Sequence, residues 1–203
     1  MSKTHLAGAM ILAGGESRRM GSDKAALLWK GLPLIEQVIK ELQPFEVPLL
    51  VVNRNENARD YFGARSVCDL FPGAGPVGGI LTGLKSSDEG WHIVVACDMP
   101  YLKREVFELL LTEAGDDFDA VVPVHDGGVE PLCALYNASA ISGLQAFLDS
   151  GRRAAHLALK TLQVKEIGED RLRLIDPDLS CFTNWNHPED LFAGRETPSS
   201  AKF

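Results

Sequence analysis

Short apolar blocks alternate with stretches of helical periodicity along most of this chain. The apolar blocks predict buried strands at residues 7–12, 48–52, 65–68, 91–96, 120–124 and 132–136. Between them, apolar residues recur at three- and four-residue spacing, which predicts helices at residues 33–42, 78–85, 105–113 and 138–148. Such alternation is typical of βαβ units. The sequence therefore predicts an α/β fold: a single doubly wound, mostly parallel sheet with helices on both faces.

Composition narrows the class of protein further. With 203 residues, 45% of them apolar, the chain is long enough for one domain with an ordinary core. The net charge of -8 argues against nucleic acid or an anionic membrane as a partner. We see no targeting segment and no apolar run of the ~18 residues that a membrane helix needs, so a cytoplasmic location is expected. The tail, residues 195–203, is rich in Ser, Thr and Pro and is expected to be mobile.

The most informative segment is a glycine-rich, cationic loop at residues 12–24, directly after the first predicted strand. It contains three glycines and two arginines, Arg18 and Arg19, and it ends at Lys24. Glycines let backbone N–H groups approach a ligand, and the cations supply the charge that a polyphosphate requires. The segment fits neither the P-loop spacing nor the dinucleotide fingerprint G-x-G-x-x-G. A glycine-rich turn that only connects a strand to a helix is the structural alternative.

Two further segments follow predicted strands. Asp98 comes just after the apolar strand 91–96, at the edge of an open sheet where ligands bind, and one such carboxylate suits Mg²⁺ held on phosphates. It could equally cap the strand end. Residues 69–80 run from Asp69 through closely spaced glycines into a predicted helix, and bare backbone there could face a purine or ribose. A flexible surface turn is the alternative for these glycines.

Residues 12–24, with the pattern L-A-G-G-x-S-x-R-M-G-x-D-K, resemble the signature of the molybdenum cofactor guanylyltransferases, a MobA-like family of nucleotidyltransferases. The segment C-D-x-P at 97–100, the run G-P-x-x-G after Asp69, and the ending F-x-N-x-N-x-P-E-D-L at 182–191 resemble the same family. His187 stands where the family usually has Thr. The resemblance extends from residue 12 to about 191 and implies a Rossmann-like nucleotidyltransferase fold.

The resemblance also assigns residues to roles. Arg19, Lys24 and Asp98 would be catalytic, with Asp98 holding Mg²⁺. The nucleotide would be bound by Leu12, Ala13, Gly14, Gly15, Lys24, Asn53, Asp69, Gly75, Pro76, Gly78, Gly79 and Asp98. The acceptor, a molybdopterin carrying molybdenum, would be bound by Arg152, Arg153, Asn184 and Asn186. Residues 1–100 would then form the nucleotide-binding half and residues 101–192 the acceptor-binding half. A turn-forming role for Asn53 and a solvated loop at 152–153 remain alternatives.

The resemblance implies transfer of GMP from GTP to the terminal phosphate of molybdopterin, with release of pyrophosphate. GTP and the molybdenum cofactor would be the substrates, and transient contact with proteins that deliver or receive the cofactor is expected. Three alternatives stay open. They are a sister enzyme that uses CTP or another phosphate acceptor such as a sugar phosphate, a nucleotide-sugar glycosyltransferase, and a catalytically silent nucleotide-binding regulator. The glycosyltransferases usually carry a D-x-D motif, which residues 97–100 lack.

Overall fold

The first strand, β1 (Leu6–Leu12), is an interior strand of the main sheet in a computed structural model of the protein. The structure describes residues 5–14, 28–29, 31–54, 61, 63–126 and 128–185. The other strands are β2 (Leu28–Trp29), β3 (Leu32–Pro33), β4 (Leu49–Asn53), β5 (Arg65–Cys68), β6 (Trp91–Ala96), β7 (Ala120–His125), β8 (Gly128–Val129), β9 (Cys133–Asn137) and β10 (Val164–Ile167). The helices are α1 (Leu34–Leu42), α2 (Gly75–Lys85), α3 (Arg104–Thr112), α4 (Ala140–Asp149), α5 (Ala155–Ala158) and α6 (Glu169–Leu172).

The main sheet has the strand order β10-β7-β9-β6-β1-β4-β5, with β8 paired to β7. Strand β1 is parallel to both β4 and β6, and β4–β5 and β7–β10 are also parallel pairs. Only β8 and β9 run antiparallel to their neighbours in this sheet, within the described residues. The chain passes outward from β1 to β4 and β5 and then returns to β6 on the other side of β1. That reversal makes the carboxyl ends of β1 and β6 a topological switch point, where open α/β sheets bind ligands.

Two apolar cores cover the two faces of the sheet. Alternate residues of β1, β4 and β6 pack on one face against α1 and α3, whose buried side chains include Val38 and Phe107. The other face packs against α2 and α4, with Leu81 and Phe147 among the buried side chains. The predicted fold, a mostly parallel sheet with helices on both faces, is therefore confirmed.

The predicted elements agree closely with the observed ones along the first two thirds of the chain. Helix α2 begins three residues earlier than predicted, because Pro76 is tolerated in a first turn whose N–H groups need no partner in the helix. The antiparallel direction of β9 was not predicted, and neither were the short β2–β3 hairpin, β10, α5 and α6. The predicted mobile tail at 195–203 lies outside the described residues. No helix in the described part of the chain is long and apolar enough to cross a membrane.

Candidate active site

Four parallel strands end side by side at the switch point, and the residues that follow them form one continuous edge. The Ala13 N–H after β1 donates to the Val52 carbonyl of β4 at 3.0 Å. On the other side, the Cys97 N–H after β6 donates to the Leu12 carbonyl at 3.2 Å. The Asp69 N–H after β5 donates to the Asn53 carbonyl at 2.6 Å. The structure thus brings the starts of three predicted ligand-binding segments to one edge of the sheet.

The opening loop is described only where it leaves β1. Leu12, Ala13 and Gly14 are half-buried at the carboxyl edge. Gly15, Arg19 and Lys24 lie outside the described residues, so their predicted roles stay predictions.

A cation that the sequence analysis did not single out lies beside this loop. A Cβ at Gly14 would be 3.3 Å from Cγ of Arg54, which is exposed and directly follows β4. Its place after a strand of the parallel sheet could have drawn attention to Arg54. The family resemblance assigns a role to the preceding residue, Asn53, and none to Arg54.

Asp98 lies in the turn after β6 and is partly exposed. The backbone carbonyl oxygen of Asp98 accepts a hydrogen bond from the backbone N–H of Trp185 at 3.0 Å, which joins this turn to the C-terminal part of the chain. The described residues contain no group of three or more His, Cys, Asp or Glu side chains that could hold a metal by themselves. A single carboxylate ligand from this turn fits Mg²⁺ that is bound mainly by phosphates and water, and it does not fit a metal that needs a full protein cage.

The Asn53 side chain is engaged in the protein's own hydrogen bonds. It is buried at the end of β4, where its amide donates to Ser66 Oγ at 2.7 Å and accepts from the Tyr61 hydroxyl at 3.0 Å. These bonds tie β4 to β5 and to the segment before β5. They give Asn53 a structural role, and a nucleotide contact would need the amide's remaining donor or acceptor capacity.

Asp69 shapes the loop that leads into α2. Its Oδ1 accepts hydrogen bonds from the Phe71 N–H at 2.9 Å and from the Thr82 hydroxyl at 3.0 Å. Thr82 is fully buried on α2, so the bond fixes the loop to the helix. Within the described residues, Oδ2 accepts no hydrogen bond. The loop therefore uses one carboxylate oxygen, and the other could serve a ligand.

Two different structural requirements explain the glycines of this segment. Gly75 opens α2 with φ of 67°, a conformation that favours glycine, and the exposed Pro76 follows it. Gly78 and Gly79 are buried, and added Cβ atoms would meet Ala74 Cβ at 2.8 Å and Leu12 Cδ2 at 3.2 Å. The missing side chains at Gly78 and Gly79 thus let α2 pack closely on its own loop and on β1.

The loop with the two arginines lies beside the start of α2. A Cβ at Gly75 would be 3.7 Å from the Arg153 carbonyl oxygen. Both arginines are exposed: Arg153 Nη1 donates to the Leu148 carbonyl at 3.1 Å, and the Arg152 guanidinium lies 4.6 Å from the centre of the Phe147 ring. The structure therefore places the backbone of Arg153, one of the two predicted acceptor-binding arginines, next to the predicted nucleotide-binding loop.

The segment predicted to bind the acceptor lies against the Asp98 turn. Asn184 is exposed and immediately precedes Trp185, whose N–H bonds to the Asp98 carbonyl. Asn186 lies outside the described residues. The predicted metal-binding residue and one of the predicted acceptor-binding residues are thus brought together, although they are far apart in the sequence.

Asp176 holds the start of this segment and was not identified from the sequence. It is only 3% exposed, and its carboxylate accepts hydrogen bonds from Lys103 Nζ at 2.9 Å, the Cys181 N–H at 2.7 Å and the Ser180 hydroxyl at 3.0 Å. Burial alone would raise the pKa of Asp176, but these hydrogen bonds outweigh it and lower the pKa to about 2. The charged carboxylate therefore ties the segment to the start of α3.

We expect Asp176→Asn to lower the free energy of unfolding at pH 7 by about 1–2 kcal/mol, because the charged form is stabilised only in the folded protein. This stabilisation is complete above the unfolded pKa near 3.8 and is lost as the pH falls through about 2. The difference between wild type and variant in the free energy of unfolding, measured with urea, should therefore shrink as the pH falls below 4. The exposed neighbour Asp178→Asn is the matched control and should leave stability nearly unchanged. A gap that stays constant down to pH 2 would contradict this account.

His125, to which the sequence analysis gave no role, packs against the same segment. Its ring is stacked on Phe182 with centroids 4.5 Å apart, and its Nε2 lies 3.2 Å from Glu130 Oε1. Burial raises the pKa of Glu130, and His125 opposes that rise. Because β7 runs parallel to β6, His125 stands at the carboxyl edge, and only the three-dimensional arrangement reveals its contact with Phe182.

The sheet order and the edge described above define an open α/β protein whose ligand site is expected at the carboxyl ends of β1 and β6. Residues 9–164 match the MobA-like NTP transferase domain family. The chain belongs to this family, and its identification from sequence as a nucleotidyltransferase of this kind is confirmed.

Several curated relatives extend over nearly the whole chain. One from Desulfosudis oleivorans, a molybdenum cofactor guanylyltransferase, is 36% identical over 185 residues, covering 90% of this chain and 91% of its own. One from Methanothermobacter thermautotrophicus, a probable molybdenum cofactor guanylyltransferase, is 37% identical, covering 89% of this chain and 95% of its own.

Solved structures agree with the fold. The molybdopterin-guanine dinucleotide biosynthesis protein A from Archaeoglobus fulgidus superposes with a TM-score of 0.78 at 34% identity, over 92% of this chain and 95% of that one. The 2-C-methyl-D-erythritol 4-phosphate cytidylyltransferase from Thermus thermophilus has a TM-score of 0.69 at 17% identity, over 93% and 97% of the two chains. The second likeness concerns the fold alone.

Proposed function

We propose that this protein transfers GMP from GTP to the terminal phosphate of molybdopterin carrying molybdenum, and releases pyrophosphate. The observation that carries the proposal is the hydrogen bond between the Trp185 N–H and the Asp98 carbonyl, which joins the candidate metal turn to the candidate acceptor segment. The names of the relatives from Desulfosudis oleivorans and Methanothermobacter thermautotrophicus, both guanylyltransferases, support the choice of nucleotide and acceptor.

The proposed reaction needs little covalent chemistry from the protein. A phosphate oxygen of the acceptor attacks the α-phosphorus of GTP, and the bond from that phosphorus to the bridging oxygen of the β-phosphate breaks. The electron pair leaves with pyrophosphate. Because the attacking phosphate oxygen is already a deprotonated nucleophile, neither a protein base nor a covalent intermediate is required. The protein's work is then to position the two substrates and to neutralise charge, as in other phosphoryl-type displacements.

On the nucleotide side, the proposed contacts surround the switch point. The backbone from Ala13 to Gly15 would approach the phosphates, and Arg19 and Lys24 would neutralise charge on the α-phosphate and the departing pyrophosphate. Asp98 would hold Mg²⁺, which when bound supplies positive charge to the phosphate oxygens. The loop from Asp69 would face the guanosine.

Within the loop from Asp69, the residues are proposed to act in different ways. The Oδ2 atom of Asp69, which the described residues leave without a hydrogen bond, and the backbone at Gly75 and Pro76 would make the contacts. Gly78 and Gly79 would contribute indirectly: Gly78 allows α2 to pack on its own loop, and Gly79 allows α2 to approach β1, so that the first turn of the helix is presented. Arg152 and Arg153, next to that turn, would lie near enough to neutralise a phosphate of either substrate.

On the acceptor side, Asn184 and Asn186 would present amides to the pterin. Residues two apart in an extended segment point to the same side, so both amides could reach one edge of a heterocycle. This division into a nucleotide-binding half at 1–100 and an acceptor-binding half at 101–192 is part of the proposal. The predicted cytoplasmic location and the contact with other proteins of the pathway remain predictions.

A transfer assay with GTP, CTP, ATP and UTP, each with Mg²⁺ and molybdopterin loaded with molybdenum, tests the proposal. We expect pyrophosphate release with GTP to exceed that with the other nucleotides by at least about tenfold, because a site that bonds a base loses about 1–3 kcal/mol for each unpaired group. A thermal-shift panel without acceptor should rank the nucleotides in the same order. Preference for CTP, or transfer to a sugar phosphate instead of the pterin, would favour the sister-enzyme alternative.

A further inference from the structure

Three aromatic side chains from three separate parts of the chain meet beside the Asp98 turn. They are Trp29 of β2, Tyr101 and Trp185, and we call them the aromatic cluster. The Trp29 and Trp185 rings have centroids 4.7 Å apart at 81°, and Tyr101 lies 5.8 Å from Trp29 and 6.1 Å from Trp185. All three pairs are edge-to-face, the arrangement that the charge distribution of aromatic rings favours.

The two tryptophans of the cluster are buried and Tyr101 is partly buried, and the cluster belongs to neither core of the main sheet. Trp29 is 8% exposed and Trp185 is 3% exposed, and both pack with the fully buried Leu34 of α1. Gln37 of α1 donates a hydrogen bond to the Trp29 carbonyl at 2.5 Å. The cluster therefore forms a small core of its own on the first turns of α1.

Each ring of the cluster comes from a segment that carries a proposed site residue. Trp29 lies five residues after Lys24, the last residue of the opening loop, and Tyr101 lies three residues after Asp98. Trp185 stands between Asn184 and Asn186, and its N–H bonds to the Asp98 carbonyl. The cluster thus links β2, which follows the opening loop in the sequence, to the metal turn and the acceptor segment.

We propose that Trp185 is a positioning residue, and that the aromatic cluster fixes the acceptor segment relative to the Asp98 turn. This proposal rests on the proposed function, since it assigns Trp185 a part in aligning the acceptor with the α-phosphate. Small errors of alignment are costly in such a displacement, because a misplacement of about 1 Å can lower the rate by ~10²-fold. The cluster provides alignment without any ring touching a substrate.

The test compares Trp185→Leu with Trp91→Leu in the full-length protein. Trp91 is the matched control because it is also 3% exposed, but it lies at the opposite end of β6 in the core on α1 and α3. For Trp185→Leu we expect kcat/KM for the acceptor to fall by roughly 10–100-fold, while the Kd for GTP changes by less than about twofold. Trp91→Leu should lower the melting temperature and leave both constants close to wild type. Trp185→Phe keeps a ring and should restore most of the acceptor kcat/KM.

Hydrogen exchange provides a readout that does not depend on catalysis. In Trp185→Leu, amides of residues 28, 29, 31, 32, 98, 99 and 101–103 should exchange faster than in wild type, whereas Trp91→Leu should leave them protected. Equal losses of acceptor kcat/KM in the two leucine variants, or unchanged exchange in Trp185→Leu, would overturn the positioning role. If the wild-type protein transfers no nucleotide, the proposed function fails, and hydrogen exchange alone then decides whether the cluster holds the three segments together.

Discussion

Asp98→Asn should lower the rate of GMP transfer by about 10²–10³-fold or more while leaving the fold intact. The change keeps the size and shape of the side chain in the turn after β6, and it removes the negative charge that would hold Mg²⁺. Loss of a group that stabilises developing charge typically has an effect of this size. GTP binding measured without Mg²⁺ should change little or improve slightly, because repulsion between carboxylate and phosphates falls.

The matched control is Asp88→Asn at the other end of the same strand. Asp88 is exposed and precedes β6, so it has the same charge but lies on the edge opposite to the candidate site. Transfer rate and Mg²⁺ dependence of the Asp88 variant should equal those of wild type. If Asp98→Asn also retains the rate and Mg²⁺ dependence of wild type, the metal is held elsewhere and the assignment of Asp98 is wrong.

The central part of the fold could be predicted because its signals are local. Strands β1 and β6 are runs of apolar residues, which identify them directly. Helix α1 has its apolar residues on one face, so its helical periodicity identifies it. Strand β10 was not predicted because two of its four residues, Lys165 and Glu166, are charged, so the segment has no apolar run. The strand is instead held in place by its parallel pairing with β7, which a local pattern does not show. The antiparallel direction of β9 depends on long-range pairing that no local pattern encodes.

The residues of the candidate site also fall into those that local sequence signals could predict and those that depend on long-range contacts. Asp69 and Asp98 could be placed at the carboxyl edge because each follows an identifiable strand. Asp176 could not be identified, because its importance comes from Lys103 and Cys181, which meet it only in the folded protein. The aromatic cluster was likewise invisible, since Trp29 and Trp185 lie at opposite ends of the chain.

The same limit applies to the glycines of α2. Their spacing predicted bare backbone for a ligand, whereas Gly79 is buried against Leu12. A glycine that allows two elements to approach and a glycine that admits a ligand look identical in a sequence. Only the position of Leu12 on the neighbouring strand separates the two explanations.

The double variant Asn184→Ala with Asn186→Ala should bind the pterin acceptor up to a few hundredfold more weakly. Each lost amide leaves polar atoms of the bound substrate without a partner, at a cost of ~1–3 kcal/mol. GTP affinity should be nearly unchanged, because the proposed nucleotide contacts lie after β1 and β5. Separate titrations with GTP and with molybdopterin measure the two effects.

Thr183→Ala is the control for the double variant, because Thr183 is exposed and directly adjacent to Asn184 in the same segment. Adjacent residues of an extended segment point to opposite sides, so this change should leave acceptor binding close to wild type. Asn184→Ala alone should show part of the loss and so test the residue that lies beside the Asp98 turn. Equal weakening of GTP and acceptor binding would mean that the segment is structural. Unchanged acceptor affinity in the double variant would place the acceptor at another part of the carboxyl edge, with Arg152 and Arg153 as the next residues to test.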